Sequence, residues 1–483
     1  MASRDPDRPN VLVVLSDDQG TWALGSRNPE IRTPVLDRLA ADGIRLDAFF
    51  SASPVCSPAR ASLLTGEIPS RHGVHDWIRD GNTGAGATDF LRRRATYVDV
   101  LATAGWRCGH VGKWHLGASD QPREPYVHWW AHEKGGGGYH GATMYRGVAD
   151  ADGGEWTGAT RETVEGYLTD ALADEAGVFL DAEARRAEPF LLHLNFTAPH
   201  VPWIDQHPRA YTDLYADTPF VSCPQGPDHP WRLDFSREMD AAYENPRDNL
   251  IGYFAATTAM DAGIGRVLDR IDRHGLREST LVVFLSDNGF NCGHHGLWGK
   301  GNATYPANMY DTSVQVPAIV AQPGRVPGGR VSDALVSGYD LLPTLLAYTG
   351  VAVPGSYRGP GRSFAALLTG DTTGTQGHVV VHDEYGPTRM LRTRDWKYVH
   401  RLPDGPHELY DLASDPDEAT NLVDDPRRSG RVAELRGLLD DWFERHGEPA
   451  VAAAGLATTG VGQNADGTFW PLPPGEPRWL HRT

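Results

Sequence analysis

The stretch "PNVLVVLSDDQG", residues 9–20, indicates the fold class of this chain. Its core, Val11–Leu15, is a short apolar run bounded by polar residues and rich in valine, which is typical of a strand buried on both faces. Such strands belong to parallel sheets that helices cover on both sides. Asp17 and Asp18 follow at once, at the carboxyl end of the strand, where open α/β sheets bind their ligands.

Further strand-like runs alternate with helical patterns along the chain. The strand-like runs lie at 107–111, 190–196 and 281–285, and the helical patterns lie at 32–43, 96–106, 167–186, 253–275 and 337–350. This alternation predicts an α/β fold with a large, mixed, mostly parallel sheet sandwiched by helices.

A small polar segment, "TGDTTGTQG" at 369–377, is typical of a linker. Short strand patterns and a helical pattern at 431–447 follow it, and they predict a smaller C-terminal α+β subdomain built on an antiparallel sheet. We therefore expect an α/β domain over residues 1–372 and a subdomain over residues 373–483. The Pro/Gly-rich tail at 450–483 is expected to pack on the surface.

The acidic balance of the chain limits its partners. Its 483 residues carry a net charge of −18. A nucleic acid or an anionic membrane would need a basic face, so neither is expected as a partner. An anionic small molecule is compatible, because a site can be locally positive on an acidic protein. The first residues lack a basic region before a long apolar run, so we expect no signal peptide and a cytoplasmic location.

Cysteine and lysine are both scarce. The four cysteines are far apart, which argues against a disulfide framework and a thiolate zinc site. The chain also has only four lysines, so a retained lysine indicates a place where a compact ammonium is needed. We apply this to Lys113 and Lys300 and treat Lys134 and Lys397 as incidental. The run Gly135–Gly138 is interpreted as a flexible loop, not a phosphate cradle.

Chemically active side chains follow four of the predicted strands. Beyond Asp17 and Asp18, these are Lys113, His115, His200, Asp287 and Asn288, with Lys300 shortly after. Clustered carboxylate and amide oxygens suit Ca²⁺ or Mg²⁺, and a cation would relieve their repulsion. The lysines and histidines add positive charge and proton transfer, which the cleavage of a tetrahedral oxyanion ester needs.

The segment "CSPAR", residues 56–60, adds a candidate nucleophile. Ser57 as N-cap, Pro58 at the first helical position and Gly66 as the stop predict a helix. Cys56 would then lie at a helix N-terminus, which favours an anion. Three interpretations stay open from these residues: an inert buried cysteine, a low-pKa thiolate nucleophile, or a residue modified after translation.

Together these motifs resemble the type I sulfatases of the alkaline phosphatase superfamily. The resemblance rests on "PNVLVVLSDDQG", "CSPARASLLTG", "GKWHLG", "TAPH", "SDNG" and "GKGN", which occur in the family's order over residues 9–302. The segment "RTRDWKYV…ELYDLASDPDEATNL" also resembles the family's C-terminal sheet. An alkaline phosphatase-like fold is therefore expected.

The resemblance implies a mechanism. A separate formylglycine-generating or maturase enzyme would oxidise Cys56 to Cα-formylglycine, whose hydrate attacks sulfur with one hydroxyl and expels sulfate with the other. The bound ion would be Ca²⁺, with Mg²⁺ as the alternative, and its ligands would be Asp17, Asp18, the modified Cys56, Asp287 and Asn288. Arg60 and Lys113 would hold the diol and the sulfate. His115 would take the second hydroxyl's proton, and His200 and Lys300 would face the leaving oxygen.

The segments "RHGVHDWIRDGN" and "GHHGLWGKGN…NMYDTS" resemble those of bacterial sulfatases that act on sulfated carbohydrates. This resemblance implies that the alcohol part of the substrate is a sugar, as a small molecule or at an oligosaccharide end. Residues that can hydrogen-bond hydroxyls or stack on a ring are the candidates for binding it: His72, His75, Asp76, Trp77, Trp203 and His295, with His294 and Asn308 in addition. An aryl or choline sulfatase, a phosphonate or phosphate ester hydrolase on the same scaffold, a non-catalytic binding protein and a plain thiolate hydrolase are the alternatives. The oligomeric state stays open.

Overall fold

A computed structural model describes residues 8–92, 94–149, 155–233, 237–371, 376–383, 388–448 and 462–463. Its strands are β1 (Asn10–Ser16), β2 (Ile44–Leu46), β3 (Phe49–Phe50), β4 (Arg107–Lys113), β5 (Tyr126–His132), β6 (Thr143–Ala149), β7 (Trp156–Thr163), β8 (Phe190–Asn195), β9 (Thr280–Ser286), β10 (Asn291–Cys292), β11 (Trp298–Gly299), β12 (Ala318–Ala321), β13 (Arg330–Ser332), β14 (Val336–Ser337), β15 (Val379–Asp383), β16 (Thr388–Arg392), β17 (Trp396–Arg401) and β18 (Glu408–Asp411).

The α-helices cover both faces of the large sheet and one face of the small one. They are α1 (Pro34–Ala41), α2 (Cys56–Thr65), α3 (Pro69–His72), α4 (Tyr97–Thr103), α5 (Leu168–Glu183), α6 (Arg209–Thr212), α7 (Arg237–Glu244), α8 (Pro246–Arg273), α9 (Asp311–Val314), α10 (Leu341–Tyr348), α11 (Ala365–Thr369) and α12 (Ser429–His446). None of the helices in the described ranges is both long enough and apolar enough to cross a membrane.

The large sheet has ten strands in the order β13-β2-β12-β9-β1-β8-β4-β5-β6-β7. Its central strands β9, β1, β8, β4 and β5 run parallel, while β12, β6 and β7 pair antiparallel towards the edges. The prediction of a mixed, mostly parallel sheet is confirmed.

Strand β1 shows why this sheet is covered on both faces. Val11, Val13 and Leu15 belong to one apolar cluster, which includes residues of α2, α4 and α10. Leu12 and Val14 belong to a second cluster, with residues of α1, α5 and α8. Alternate side chains of a strand point to opposite faces, so a strand that is apolar throughout needs a helix layer on each side.

The C-terminal sheet is also as predicted, with β15, β16, β17 and β18 pairing antiparallel in sequence order. Helix α12 covers one face through Leu435, Leu439 and Trp442. The expected domain boundary at 372/373 lies outside the described residues, and so does the tail at 450–483 except for 462 and 463. The division into two domains stays a prediction.

The start of helix α2 differs from the prediction. Ser57 is not the N-cap, because the helix begins at Cys56 and Val55 occupies the cap position. The Ser57 hydroxyl instead accepts a hydrogen bond from the backbone N–H of Ile78 at 3.0 Å. Gly66 ends the helix with a φ of 65°. This is the left-handed conformation expected of a glycine at a helix C-cap.

The prediction that Lys397 is incidental is wrong. Its side chain is fully buried, and the ammonium lies 2.5 Å from Asp311 Oδ1 and close to Glu418. It also donates to the Met309 carbonyl at 2.8 Å. Because Lys397 lies on β17 and its partners precede and follow the small sheet, this ion pair ties that sheet to the rest of the chain.

We expect Lys397→Met to destabilise the fold by about 3 kcal/mol or more, because it leaves two carboxylates buried without their cation. Differential scanning fluorimetry at neutral pH should show a lower unfolding midpoint. Lys134→Met is the matched control, since its ammonium is half-exposed and lies 3.6 Å from Asp80. Equal midpoints for the two variants would contradict the structural role of Lys397.

Candidate active site

Four adjacent strands bring the predicted groups to one edge of the sheet. Asp17 and Asp18 follow β1, and Asp287 and Asn288 follow its neighbour β9, with Ser16 paired to Ser286 in register. Strand β8 on the other side of β1 leads to His200, and β4 beside it ends at Lys113. Since all four strands are parallel, their carboxyl ends meet at the same place.

Each carboxylate at this edge is paired with one cation. Asp17 Oδ2 lies 2.6 Å from Lys113 Nζ, and Asp18 Oδ1 lies 2.5 Å from Lys300 Nζ. Asp287 Oδ2 accepts a hydrogen bond from Arg60 Nε at 2.8 Å. The three carboxylates are at most 1% exposed. They therefore need these partners to stay charged.

The two neighbouring aspartates have different pKa values because their surroundings differ. Burial raises the pKa of Asp17 to about 7, although Lys113 opposes the rise. Burial would raise the pKa of Asp18 too, but Lys300, His200 and Lys113 together lower it to about 2. Asp18 also has a positive φ of 64°. That backbone conformation is strained for a residue other than glycine.

The same carboxylates and one amide can hold a divalent cation. Ligand atoms of Asp17, Asp18 and His200 lie within 4.8 Å of one another. Asn288 adjoins them, because its Nδ2 donates to Asp18 Oδ1 at 2.7 Å. Asp17 Oδ1 and Asn288 Oδ1 are buried oxygens that have no hydrogen-bond partner among the described residues. A hard cation with oxygen ligands would satisfy both of them.

Helix α2 carries the candidate nucleophile into this cluster. Cys56 lies in its first turn and is 3% exposed. Arg60 lies one turn further on, so both side chains share a face of the helix. Arg60 Nη1 donates to the Lys113 carbonyl at 3.0 Å, while its buried Nη2 has no hydrogen-bond partner in the part of the chain that the structure describes. That nitrogen is a free donor beside the helix N-terminus, where an anion is favoured.

His115 follows β4 with a defined tautomer. Its Nε2 lies 2.9 Å from the Ile78 carbonyl. A carbonyl can only accept, so Nε2 carries the proton. The buried Nδ1 has no partner within the described ranges and is free to take a proton. Burial first, and Lys113 second, lower the pKa of His115 well below its usual value. His115 has a backbone φ of 55°, which is a second strained backbone conformation in the site.

His200 and Lys300 both lie next to Asp18. His200 Nδ1 donates to the Val201 carbonyl at 2.7 Å, so Nε2 is the atom that faces Asp18 Oδ2 at 3.6 Å. Burial lowers the pKa of His200, although Asp17 and Asp18 oppose the effect. Asp18 raises the pKa of Lys300 above its usual range despite burial, so this ammonium stays charged.

A cavity of about 270 Å³ opens beside these two side chains. Besides Asp18, His200 and Lys300, it is lined by Gly137, Val201, Pro202, Met239, Phe290, Trp298, Gly299, Asn302 and Ala303. Drug-sized ligands occupy about 300–1,000 Å³, so a cavity just below that range suits a single ring. The polar side chains in its walls are Asp18, His200, Lys300 and Asn302, and the other lining side chains are apolar.

The residues predicted to contact the alcohol are not among those lining the cavity. His72 accepts from the Val74 N–H and bonds Ser62 of α2, and Trp203 is 1% exposed with Nε1 bonded to the Pro199 carbonyl. His295 stacks on Tyr310 with ring centroids 3.7 Å apart. The backbone N–H of His75 donates to Gln463 Oε1, and the buried Asp76 accepts from the Trp77 N–H through Oδ1. His294 Nε2 donates to the Ser222 carbonyl, and the Asn308 amide donates to the Lys300 carbonyl.

Two kinds of site group were missed from the sequence. The carbonyls of Ile78 and Val201 set the histidine tautomers, but a backbone atom leaves no mark in a residue pattern. Met239, Phe290 and Trp298 line the cavity, and each looks like an ordinary core residue in the sequence. Only their position next to Lys300 distinguishes them.

Ca²⁺ added to the metal-free protein should raise its unfolding midpoint, since a ligand at about 100 times its Kd stabilises by about 2.7 kcal/mol. Asp17→Asn should weaken this response at least about tenfold in apparent affinity. Calcium and magnesium titrations by scanning fluorimetry provide the measurement. Asp261→Asn is the control, because this carboxylate is buried against α1, where it accepts from the backbone N–H groups of Val35 and Leu36. A full calcium response in Asp17→Asn would contradict the site.

Comparison with known proteins extends over nearly the whole chain. A choline-sulfatase of Rhizobium meliloti is 29% identical, covering 90% of this chain and 86% of its own length. An N-acetylglucosamine-6-O-sulfatase of Bacteroides thetaiotaomicron is 25% identical, with shares of 90% and 86%. A solved complex with D-glucosamine-2-N,6-O-disulfate has the same fold, with a TM-score of 0.76, 23% identity, and shares of 91% and 98%.

Two family models match the chain. Residues 293–444 match the model of the N-sulphoglucosamine sulphohydrolase C-terminal region. Residues 9–351, which include every strand end at the site, match the sulfatase model. This match spans well over half of the chain, and the protein belongs to the sulfatase family.

Proposed function

We propose that this sulfatase hydrolyses sulfate monoesters with a Cα-formylglycine made from Cys56 and with a bound Ca²⁺. The observation that carries the proposal is the arrangement of Cys56 and the free Arg60 Nη2 beside the three paired carboxylates. A separate modifying enzyme is required as a partner, and it would act on "CSPAR" before or during folding, because every residue of α2 is buried in the folded chain.

The groups that are added to the chain supply two properties. Formylglycine at position 56 supplies, as its hydrate, a hydroxyl nucleophile in place of a thiol. Calcium held by Asp17, Asp18, Asp287 and Asn288 supplies Lewis acidity towards the sulfate oxygens.

The chain's own cations bind the sulfate. Arg60 presents Nη2, and Lys113 and Lys300 place ammonium groups beside Asp17 and Asp18. Fixed positive charges in a buried site stabilise the negative charge that develops on the ester oxygens during cleavage. The overall charge of −18 is compatible with this, since a site can be locally positive on an acidic protein.

The two histidines have separate tasks because their free nitrogens differ. His115 keeps its proton on Nε2 and offers Nδ1 as the acceptor for a hydroxyl proton at position 56. His200 keeps its proton on Nδ1, so Nε2 is the atom that can deliver a second proton to the leaving oxygen. Lys300 stays charged and supports the departing alcohol electrostatically.

A sulfated sugar is the proposed substrate class. The cavity of about 270 Å³ fits one ring, and it has an aromatic wall formed by Phe290 and Trp298. Aromatic side chains suit the apolar face of a sugar. The N-acetylglucosamine-6-O-sulfatase relative and the solved complex with a glucosamine disulfate support this class. The choline-sulfatase relative keeps a small alkyl sulfate in the set of substrates to be tested.

Protein produced with a modifying enzyme should show a peptide over residues 51–66 about 18 Da lighter than the thiol form. It should hydrolyse aryl and sugar sulfates, and Cys56→Ala should lose activity about 1,000-fold or more. Peptide mass spectrometry and a sulfate-release assay measure both. Cys108→Ala, at another buried cysteine, should keep the mass shift and the activity. Full activity with an unmodified Cys56 would contradict the proposal.

A substrate panel tests the alcohol class. We expect monosaccharide sulfates and terminally sulfated disaccharides to react faster than internally sulfated oligosaccharides, choline sulfate and phenylphosphonate esters. Met239→Ala should lower kcat/KM for sugar sulfates about tenfold, because it removes cavity wall that contacts the ring. Met260→Ala, in the core away from the cavity, is the control. Faster phosphonate than sulfate cleavage would overturn the proposed reaction.

A further inference from the structure

Four consecutive glycines, Gly135–Gly138, follow β5 and lead towards β6. Strand β5 runs parallel to β4, and Lys113 is paired with His132 in register. The glycine run therefore leaves the sheet at the same edge as Lys113 and His115. Gly137 lines the cavity, while the other three glycines have no role in the sulfatase chemistry or the cation site described above.

The first two glycines lie against the two histidine rings of the site. A β-carbon on Gly135 would lie 2.2 Å from both Cε1 and Nε2 of His115. A β-carbon on Gly136 would lie 2.4 Å from Cε1 and 2.6 Å from Nδ1 of His200. Real β-carbons essentially never approach heavy atoms more closely than 3.0 Å, so a side chain at either position requires the ring or the loop to shift.

Space, and not backbone conformation, requires glycine at these two positions. Neither Gly135 nor Gly136 has a positive φ. Other residues could therefore adopt their backbone angles. Gly137 differs, because its φ is 151° and its β-carbon would have one neighbour, His132 Cε1, at 4.0 Å. A β-carbon on Gly138 would make only ordinary contacts, 3.4 Å from Gln206 Oε1 and 3.7 Å from the His140 carbonyl.

Hydrogen bonds hold both the loop and the two rings. Before the glycines, His132 Nδ1 donates to the Lys134 carbonyl at 2.8 Å, and after them the Tyr139 N–H donates to Gln206 Oε1 at 3.0 Å. Tyr139 also donates from its hydroxyl to the His200 carbonyl at 2.7 Å. The rings themselves are hydrogen-bonded to the Ile78 and Val201 carbonyls, so a carbonyl and the loop together hold each ring.

We propose that Gly135 and Gly136 are positioning residues, which hold the rings of His115 and His200 in place by direct backbone contact. The proposal rests on the proposed function for the roles of the two histidines. A side chain at either position has to push its own ring, or the loop, out of place. A misplacement of about 1 Å at a reacting group costs about 100-fold in rate, so single alanine substitutions should have large effects.

The two substitutions should have different kinetic signatures. Gly135→Ala should lower kcat about 100-fold for aryl and sugar sulfates alike and should lower KM with it, because His115 acts on the position-56 hydroxyl that expels sulfate after the alcohol has left. Gly136→Ala should lower kcat/KM much more for sugar sulfates than for aryl sulfates, because only a poor leaving group needs the proton from His200. His115→Ala and His200→Ala provide the reference signatures.

Gly138→Ala is the matched control in the same loop and should keep the wild-type rates. Formylglycine content and the unfolding midpoint are measured for every variant, so that conversion and folding are accounted for. Wild-type rates in Gly135→Ala and Gly136→Ala would overturn the proposal. The same loss for every substrate in all three alanine variants would overturn it too, because a general loop defect explains that result.

Crystal structures of Gly135→Ala and Gly136→Ala separate this proposal from the proposed function. If the wild-type enzyme carries formylglycine and cleaves no sulfate ester, the proposed function fails, but the ring positions can still be compared. Displacement of the His115 ring in the first variant and of the His200 ring in the second supports the positioning role. Rings that stay in place in both variants overturn it.

Discussion

Three buried carboxylates at one edge of the sheet are the constraint on which the rest of this structure depends. Burial without partners would remove their charge, so each is paired with a cation. The cations come from three different parts of the chain: Lys113 from the end of β4, Arg60 from α2 and Lys300 from the segment after β11. Those elements have to converge on β1 and β9, and the topology of the sheet is what brings them there.

The same pairing prepares the site for an anion. The cations that neutralise Asp17, Asp18 and Asp287 are the groups that the proposed mechanism places around a sulfate, together with the free Arg60 Nη2. The structure therefore does not need a separate anion-binding patch on a strongly acidic chain. Lys397 shows the same rule away from the site, since this fully buried lysine is paired with two carboxylates.

Sequence patterns worked where local periodicity controls structure. Val11–Leu15 had to be a strand buried on both faces, and Gly66 had to end a helix, because these outcomes depend on side-chain spacing and on φ. Patterns failed where a distant group competes for a side chain. Ser57 does not cap α2, because Ile78 uses its hydroxyl. The sequence around Lys397 did not indicate that this side chain is buried, because its partner carboxylates are far away in the chain.

By itself, the sequence determined the sheet with its helix layers, the strand ends that carry the polar groups, and the sulfatase motifs. Each of these features depends on residues that are close together in the chain. Only the tertiary structure decided which nitrogen of His115 and of His200 is free, which residues line the cavity beside Lys300, and why Gly135 and Gly136 have no side chain. These properties arise from contacts between segments that are distant in the chain, such as Ile78 with His115 and Gly136 with His200, and no local pattern records a contact of that kind.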